Sequence, residues 1–275
     1  MSGLITEAVL ARLETAGAVP RELDLYSGEG TDFYERLVGT DRAEIREVLA
    51  LARKTDDPIL DIAAGGGRLT VPLVRTGREV TAIDLSDDML SHLRRTLPAR
   101  STAECVVADM RDFSLGRRYG LVIIGATSIT LLDRAGRSLL YGSVRRHLAA
   151  GGVFAFTVAG GAAAQSLAVS RTQEIGVPGP QGEETYLFAQ QMEDGGAARV
   201  VNWVRVADIA AGLEATVLTS RLQVLGHDVL AGELVDAGFA APAVSPVRTD
   251  RGVEILLLTT SWAGSSGTVD DDATG

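Results

Sequence analysis

A carboxylate near the end of an apolar strand, a glycine turn, and a second strand ending on a carboxylate form an arrangement that can do chemistry. In this chain the three fall within Pro58–Asp84, PILDIAAGGGRLTVPLVRTGREVTAID. A short apolar run, Pro58–Ile62, carries Asp61 and leads into Gly65, Gly66 and Gly67. A helix and a second strand, Glu79–Ile83, then end on Asp84. Glycine lets ligand atoms approach the backbone because no Cβ stands in the way. The free amides at the start of the following helix suit a negatively charged group. A carboxylate at the tip of the second strand can accept two hydrogen bonds from a ribose diol. The pattern is that of a nucleoside-cofactor site. Its plainer counterpart is a tight strand-to-helix turn without a ligand, with Asp84 capping the next helix beside Ser86 and Asp87.

Which cofactor follows from the register of the turn. A dinucleotide fingerprint needs G-x-G-x-x-G, but Gly65-Gly66-Gly67-Arg68-Leu69-Thr70 puts Thr70 at the third glycine, which weakens a nicotinamide reading. The only lysine, Lys54, lies upstream of the motif, and no Tyr-x-x-x-Lys set follows it. The segment instead resembles motif I of class I S-adenosylmethionine-dependent methyltransferases, through Asp61, Ala63, Gly65 and Gly67, with Ala63 standing where the pattern has its first glycine. The resemblance continues through GREVTAIDLSDDML (Gly77–Leu90), VVADMRDF (Val106–Phe113), YGLVIIGATSITLL (Tyr119–Leu132) and HLAAGGVFAFTV (His147–Val158), covering roughly residues 45 to 160.

That family resemblance implies a Rossmann-like α/β sheet with S-adenosyl-L-methionine across the carboxyl ends of its first four strands. It implies that Gly65 and Gly67 let the cofactor approach and that Asp84 holds its ribose. Asp109 and Met110 would frame the adenine, and Ala126 would sit near the methionine part. In relatives with an N-terminal lid, aromatic residues close over the cofactor and acceptor, a role that Tyr26 and Tyr34 would take. An aromatic face beside a sulfonium gives a cation–π attraction; ordinary helix packing is the alternative. The layout is also similar to bacterial amino-sugar N,N-dimethyltransferases and, in length and loops, to methyltransferases of daptide-type ribosomal peptide pathways. The acceptor implied is an amine of a secondary metabolite or peptide. A small-molecule O-methyltransferase is the nearest alternative, and a nicotinamide-dependent oxidoreductase or an inactive cofactor-binding scaffold comes from other classes.

The elements that must hold these residues can be read in order. Residues 1–54 are expected to form a helical lid, with helical spacing of Leu4, Ile5, Val9, Leu10 and Leu13 as far as Pro20, and a second amphipathic helix over Asp41–Lys54. Residues 55–160 alternate strands with helices at Leu69–Thr76, Ser86–Leu97 and Asp133–Ala149, which implies a parallel sheet. The Gly151-Gly152 pair is expected to end the last helix. Residues 161–226 read as an irregular Gly-, Ala- and Pro-rich connection followed by an antiparallel meander over Tyr186–Val224, with a hairpin at Glu193-Asp194-Gly195-Gly196. Residues 227–262 supply a helix, His227–Ala237, and strands at Ala243–Arg248 and Val253–Thr260. Residues 263–275 read as a disordered acidic tail.

The remaining candidates have simpler accounts. His92 lies mid-helix, and His147 sits in a last helical turn, where a basic group suits the dipole. His227, at a helix start, is the histidine best placed to reach a substrate. Trp203 and Tyr186 could line an acceptor pocket, although sheet aromatics are more often core. Thr127, Ser128 and Thr130 follow the fourth strand without a His–Asp set beside them, which argues against a hydrolase triad. Asp109, Asp112 and Asp133 have no paired His, so no metal is expected. No catalytic residue stands out.

Composition sets the outer bounds. At 275 residues and 46% hydrophobic, the chain can bury a substantial core. A net charge of −10 argues against nucleic acid or an anionic membrane as partner. Cys105 is the only cysteine, so no internal disulfide is possible. Arginine supplies nearly all the basic residues, which fits a GC-rich bacterial genome. No apolar run reaches 18 residues, and the default expectation is a soluble cytoplasmic protein. The sequence does not fix an oligomeric state.

Overall fold

In the computed structural model, residues 3–39, 41–247 and 254–262 are described. The N-terminal segment departs from a purely helical lid. Helix α1 (Glu7–Ala16) ends on Gly17 at φ 70° and gives way to a strand, β1 (Val19–Asp24). Pro20, expected to stop the helix, lies inside this strand, which is tolerated because β1 is an edge strand. Helices α2 (Glu29–Val38) and α3 (Ile45–Ala52) follow. The second is shorter than the amphipathic spacing predicts, because Glu44 turns the backbone to φ 52° just before it.

The central sheet comes from β2 (Ile59–Ile62), β3 (Val80–Asp84), β4 (Glu104–Val107), β5 (Tyr119–Ile124) and β6 (Leu148–Ala159). β2 and β5 are buried along their whole length, as expected of parallel strands covered on both faces. Between them lie α4 (Thr70–Val74), α5 (Asp87–Thr96) and α6 (Arg134–His147). Ser86 caps α5 by accepting a hydrogen bond from the Met89 amide at 3.2 Å. The chain winds from β2 to β3 and β4 on one side, then to β5 and β6 on the other, so the order reverses between β2 and β5. Ligands of open α/β sheets bind at that reversal, outside the carboxyl ends of the strands.

The Gly151-Gly152 pair does not end a helix. α6 stops at His147 and β6 starts at Leu148, so the pair lies within the strand, where the register against β5 slips between Tyr119 and Leu121. The stretch expected as an irregular connection is also ordered: it forms α7 (Gly161–Leu167) and β7 (Arg171–Gly179). The alanine run favours a helix, and β7 finds a partner along its whole length in β8 (Gly182–Glu193). β9 (Ala198–Arg205) and β10 (Glu214–Gln223) continue the antiparallel meander, with a turn at Asp194–Gly196 between β8 and β9. β1 pairs in parallel with β10, giving a second sheet of order β1-β10-β9-β8-β7.

Helix α8 (His227–Asp236) and strands β11 (Ala243–Val247) and β12 (Ile255–Ser261) return to the central sheet, with β12 antiparallel to β6. Arg248, Val253 and the expected tail at 263–275 lie outside the described residues. A buried ion pair, Arg137 to Glu233 through two contacts of 2.7 Å, ties α6 to α8. The second sheet buries Val9 and Leu13 of α1 on one face. On its other face Phe33 of α2 packs against Tyr186 and Trp203, with ring centroids 4.6 and 5.3 Å away. Such aromatic contacts add about 0.5–1.5 kcal/mol each beyond area burial. They fix α2 to the second sheet while the neighbouring Tyr34 and Glu35 line the cleft with the glycine turn.

Candidate active site

The turn after β2 is held from three directions. Ala63, Gly65 and Gly67 have φ of 53°, 54° and 94°, so the chain curls through the left-handed region at alternate residues. Asp61 lies 1% exposed beneath the turn, and its carboxylate accepts a hydrogen bond from the Thr70 hydroxyl at 2.6 Å. The residue replacing the third glycine thus satisfies a buried acid. Burial nonetheless pushes the Asp61 carboxyl up to about 7, against the opposing effects of Thr70 and Arg68. Asp84 accepts the Gly65 amide at 2.8 Å and the Ser86 amide at 2.9 Å, one on each oxygen. Burial raises the Asp84 carboxyl, and those amides oppose the shift. The Gly66 amide bonds to the carboxylate of Glu35, which faces His92 at 3.6 Å; burial raises Glu35 as well.

A second node joins the glycine turn to the loop after β5. Glu44, 1% exposed, accepts the Ala126 amide at 2.8 Å and forms an ion pair with Arg68. Arg68 also donates to the Ala43 carbonyl at 2.8 Å. Glu44, Ala126 and Thr127 all hold positive φ, at 52°, 52° and 60°. Three residues held at positive φ thus gather around one carboxylate.

The two carboxyl-end turns open on a cleft of about 970 Å³, whose walls include Asp61, Ala63, Gly65, Gly67, Ala126 and Tyr34. Tyr26 and Tyr34 pack edge to face, with centroids 5.1 Å apart. Burial raises both phenols. A side chain at Gly66 would overlap the Glu35 carboxylate, and one at Gly67 would overlap Leu93. At Gly65 the nearest atom would be 4.0 Å away, leaving room for a ligand.

Residues 59–152 match the family model described as a methyltransferase domain. Over 96% of its length the chain is similar to the glycopeptide N-methyltransferase MtfA crystallised with S-adenosyl-L-methionine. That structure is covered completely, at 30% identity and a TM-score of 0.64. The chain belongs to the class I S-adenosylmethionine-dependent methyltransferases. Among curated proteins, this methyltransferase is 35% identical over 131 residues to a dTDP-3-amino-3,6-dideoxy-alpha-D-glucopyranose N,N-dimethyltransferase of Streptomyces fradiae, covering 45% of this chain and 49% of the relative. A dTDP-3-amino-3,4,6-trideoxy-alpha-D-glucopyranose N,N-dimethyltransferase of Streptomyces venezuelae is 28% identical over 131 residues, 46% of this chain and 51% of the relative. The chain therefore matches about half the length of these curated relatives. The CcbJ methyltransferase of Streptomyces caelestis shares the fold, at 19% identity and a TM-score of 0.71.

Within the methyltransferase, the sequence-predicted residues fall into three groups. Asp61, Ala63, Gly65, Gly67, Ala126 and Tyr34 converge on the cleft. Asp84, Tyr26, Asp109 and Met110 lie outside its wall. Asp109, on the loop after β4, is gripped by Arg111, whose hydrogen bonds hold its carboxyl below the usual carboxylate range. Met110 packs half-buried against the main core. Trp203 and His227 stand apart. Trp203 is 7% exposed and packs with Phe33 and Phe188, while His227 is on the surface, 3.1 Å from Asp228.

His147 is structural: its Nδ1 faces the Ser143 carbonyl at 2.8 Å, and Nε2 accepts the Leu115 amide at 3.1 Å. No group of three or more potential metal ligands is found among the described residues. No helix among them is long and apolar enough to cross a membrane. Sequence reasoning missed Glu35, Glu44 and Arg68. Arg68 follows the last glycine directly, a usable signal, whereas nothing local marks Glu35 or Glu44. Leu85, the residue after Asp84, is 69% exposed.

Proposed function

We propose that this protein transfers a methyl group from S-adenosyl-L-methionine to an amine of a secondary metabolite or a ribosomally made peptide. The observation that carries the reading is the Asp84 carboxylate, which binds the Gly65 amide at the mouth of a glycine cradle with open space beside it. Each Asp84 oxygen accepts one amide and keeps acceptor capacity for a ribose diol. Leu85 and Met110 offer apolar surface to an adenine, and Asp109 offers it a polar edge. Ala63, Gly65, Gly67 and Ala126 would hold the methionine part, with Tyr34 in the same wall and Tyr26 packed against Tyr34. The residues present fit this cofactor, which supplies a methyl carbon activated by a sulfonium.

The protein's contribution is positioning. Tyr34 and the turns at Gly65 and Ala126, which line the cleft, would confine the acceptor nitrogen beside the cofactor's methyl group, and such positioning can supply several kcal/mol of barrier lowering. Burial keeps the Tyr26 and Tyr34 phenols protonated, so they present neutral faces and hydrogen bonds rather than a base. A neutral amine attacks through its own lone pair and needs no dedicated base. The glycopeptide and amino-sugar activities of the relatives support an amine acceptor, and the net charge of −10 supports a small or peptidic molecule over nucleic acid.

Transfer to a hydroxyl is the rival. His92 beside Glu35 in the cleft wall is the group that would then take the proton. Calorimetric titration with S-adenosyl-L-methionine, repeated with Asp84→Ala, tests the cofactor site. Micromolar binding that collapses in the variant is expected, and no binding by the folded wild type would refute the proposal. Paired amine and hydroxyl acceptors, assayed with His92→Ala, then separate the two chemistries: N-methylation survives the substitution.

A further inference from the structure

Most half-buried or buried arginines of this acidic chain meet a carboxylate: Arg36 meets Glu184, Arg68 meets Glu44 and Arg137 meets Glu233. Arg171 and Arg199 do not, among the described residues. Both are half-buried on the face of the second sheet that carries Tyr26 and Tyr34. Arg171, Gln190, Val201 and Ser220 lie opposite one another across β7, β8, β9 and β10, and Arg199 is two residues from Val201 on the same face.

The arrangement around these guanidinium groups is built rather than incidental. The Gln190 amide nitrogen donates to the carbonyls of Ser166, Leu167 and Val169, at 3.2, 3.2 and 2.6 Å. That pins its oxygen to accept from Arg199 at 2.7 Å. Arg199 has five N–H donors in all, so most of its fork is left for another partner. Arg171 lies over the Phe188 ring at 5.3 Å, and its buried Nε has no hydrogen-bond partner among the described residues. Burial, reinforced by the charge of Arg171, pushes Arg199 down to about 10. Two like charges in one half-buried place are destabilising until an anion joins them.

The pair lies outside the cleft wall and is joined to it through Tyr26, which packs on Tyr34 of that wall. The Tyr26 hydroxyl, 3.4 Å from the Ser220 hydroxyl, feels the charges of both Arg199 and Asp84. β10 packs against Ser128–Leu131, the turn directly after Ala126 and Thr127. Helix α7, whose end pins Gln190, follows the carboxyl end of β6.

We propose that Arg171 and Arg199 form an oxyanion subsite, so that the acceptor carries a carboxylate or phosphate on the same molecule as the group to be methylated. The proposal relies on the methyl-transfer reading only to say that the anion belongs to the acceptor.

The test is calorimetric titration of the protein, free and loaded with S-adenosylhomocysteine, with thymidine diphosphate and with N-acetylglycine. Thymidine and N-acetylglycinamide serve as uncharged controls. At least one oxyanion binds with a Kd of about 1 mM or below, and its control does not. Arg171→Gln and Arg199→Met each weaken that binding about tenfold or more, with S-adenosylhomocysteine affinity unchanged. Thymidine diphosphate binding identifies a phosphate source, and N-acetylglycine binding a carboxylate source. The proposal is overturned if neither oxyanion binds, or if binding survives in both variants. Should Arg199→Met fail to fold, Arg171→Gln, on an edge strand, decides alone. Failure of S-adenosylhomocysteine to bind the wild type would refute the methyltransferase reading instead, while titration of the free protein still tests the pair.

Discussion

Replacing Glu44 by glutamine removes one charge and almost no volume from the node that joins the glycine turn to the loop after β5. The Glu44 side chain is 1% exposed and that of Arg68 16%, so solvent screens the pair weakly. At an effective dielectric near 20, two charges about 4 Å apart attract by about 4 kcal/mol. Arg68 keeps its bond to the Ala43 carbonyl, and a glutamine oxygen can still accept the Ala126 amide. We therefore expect Glu44→Gln to cost about 3 kcal/mol in urea unfolding followed by tryptophan fluorescence, with the m-value unchanged. Glu44→Ala also strands the Ala126 amide and costs about 1–3 kcal/mol more. The decisive measurement is the cycle with Arg68→Met. Once the guanidinium is gone, Glu44→Gln should cost about 1 kcal/mol or less. Equal costs in the two backgrounds, within about 0.5 kcal/mol, would show that the carboxylate does not act through Arg68.

Asp61→Asn tests the buried acid. A folded-state carboxyl raised to about 7 stabilises the fold fully below the ordinary carboxylate range, and that contribution is lost as pH rises from about 4 to 7. The variant should thus gain thermal stability over wild type at pH 8 by up to a few kcal/mol, an advantage that shrinks at pH 5 and is nearly gone at about pH 4. A difference that does not vary with pH would refute the assignment. Ala63→Gly relieves a left-handed alanine, an effect partly offset by the freer unfolded chain. It should be neutral to stabilising by about 1 kcal/mol in chemical denaturation, and a clear destabilisation would contradict the geometry. Arg137→Met leaves Glu233 buried without its partner and should cost about 3–5 kcal/mol in the same assay. S-adenosyl-L-methionine affinity should be unchanged in the surviving folded fraction.

The central sheet was legible because its signals are local. β5 is an apolar run and β2 an apolar strand broken only by Asp61, while the three glycines and Asp84 sit at fixed offsets from strand ends. β1 and β7 were not legible, since VPRELD and RTQEIGVPG become strands only by pairing with β10 and β8. The Gly151-Gly152 pair reads as a helix stop and acts as a strand irregularity, two uses of glycine that a single sequence does not separate. Glu44 lies 24 residues from Arg68 and 82 from Ala126. Such a node exists only after folding, and charge patterning along one segment cannot reveal it. Trp203 was weighed as an acceptor contact, but its large apolar ring is held in the core by Phe33 and Phe188.

The parallel pairing of β1 with β10 has a consequence for how the chain is made. Arg21 and Thr216, hydrogen-bonded across that edge, are 195 positions apart. The Thr6 amide must likewise wait for the Asn202 side chain, 196 positions later. At about 5–20 residues per second, a ribosome takes about 10–40 s to supply the partner strand. During that interval β2 to β6 can assemble, while α1 and β1 trail beside them with Val9 and Leu13 unburied. The segment made earlier is thus completed later, and Phe33 gains its partners Tyr186 and Trp203 only when the second sheet forms.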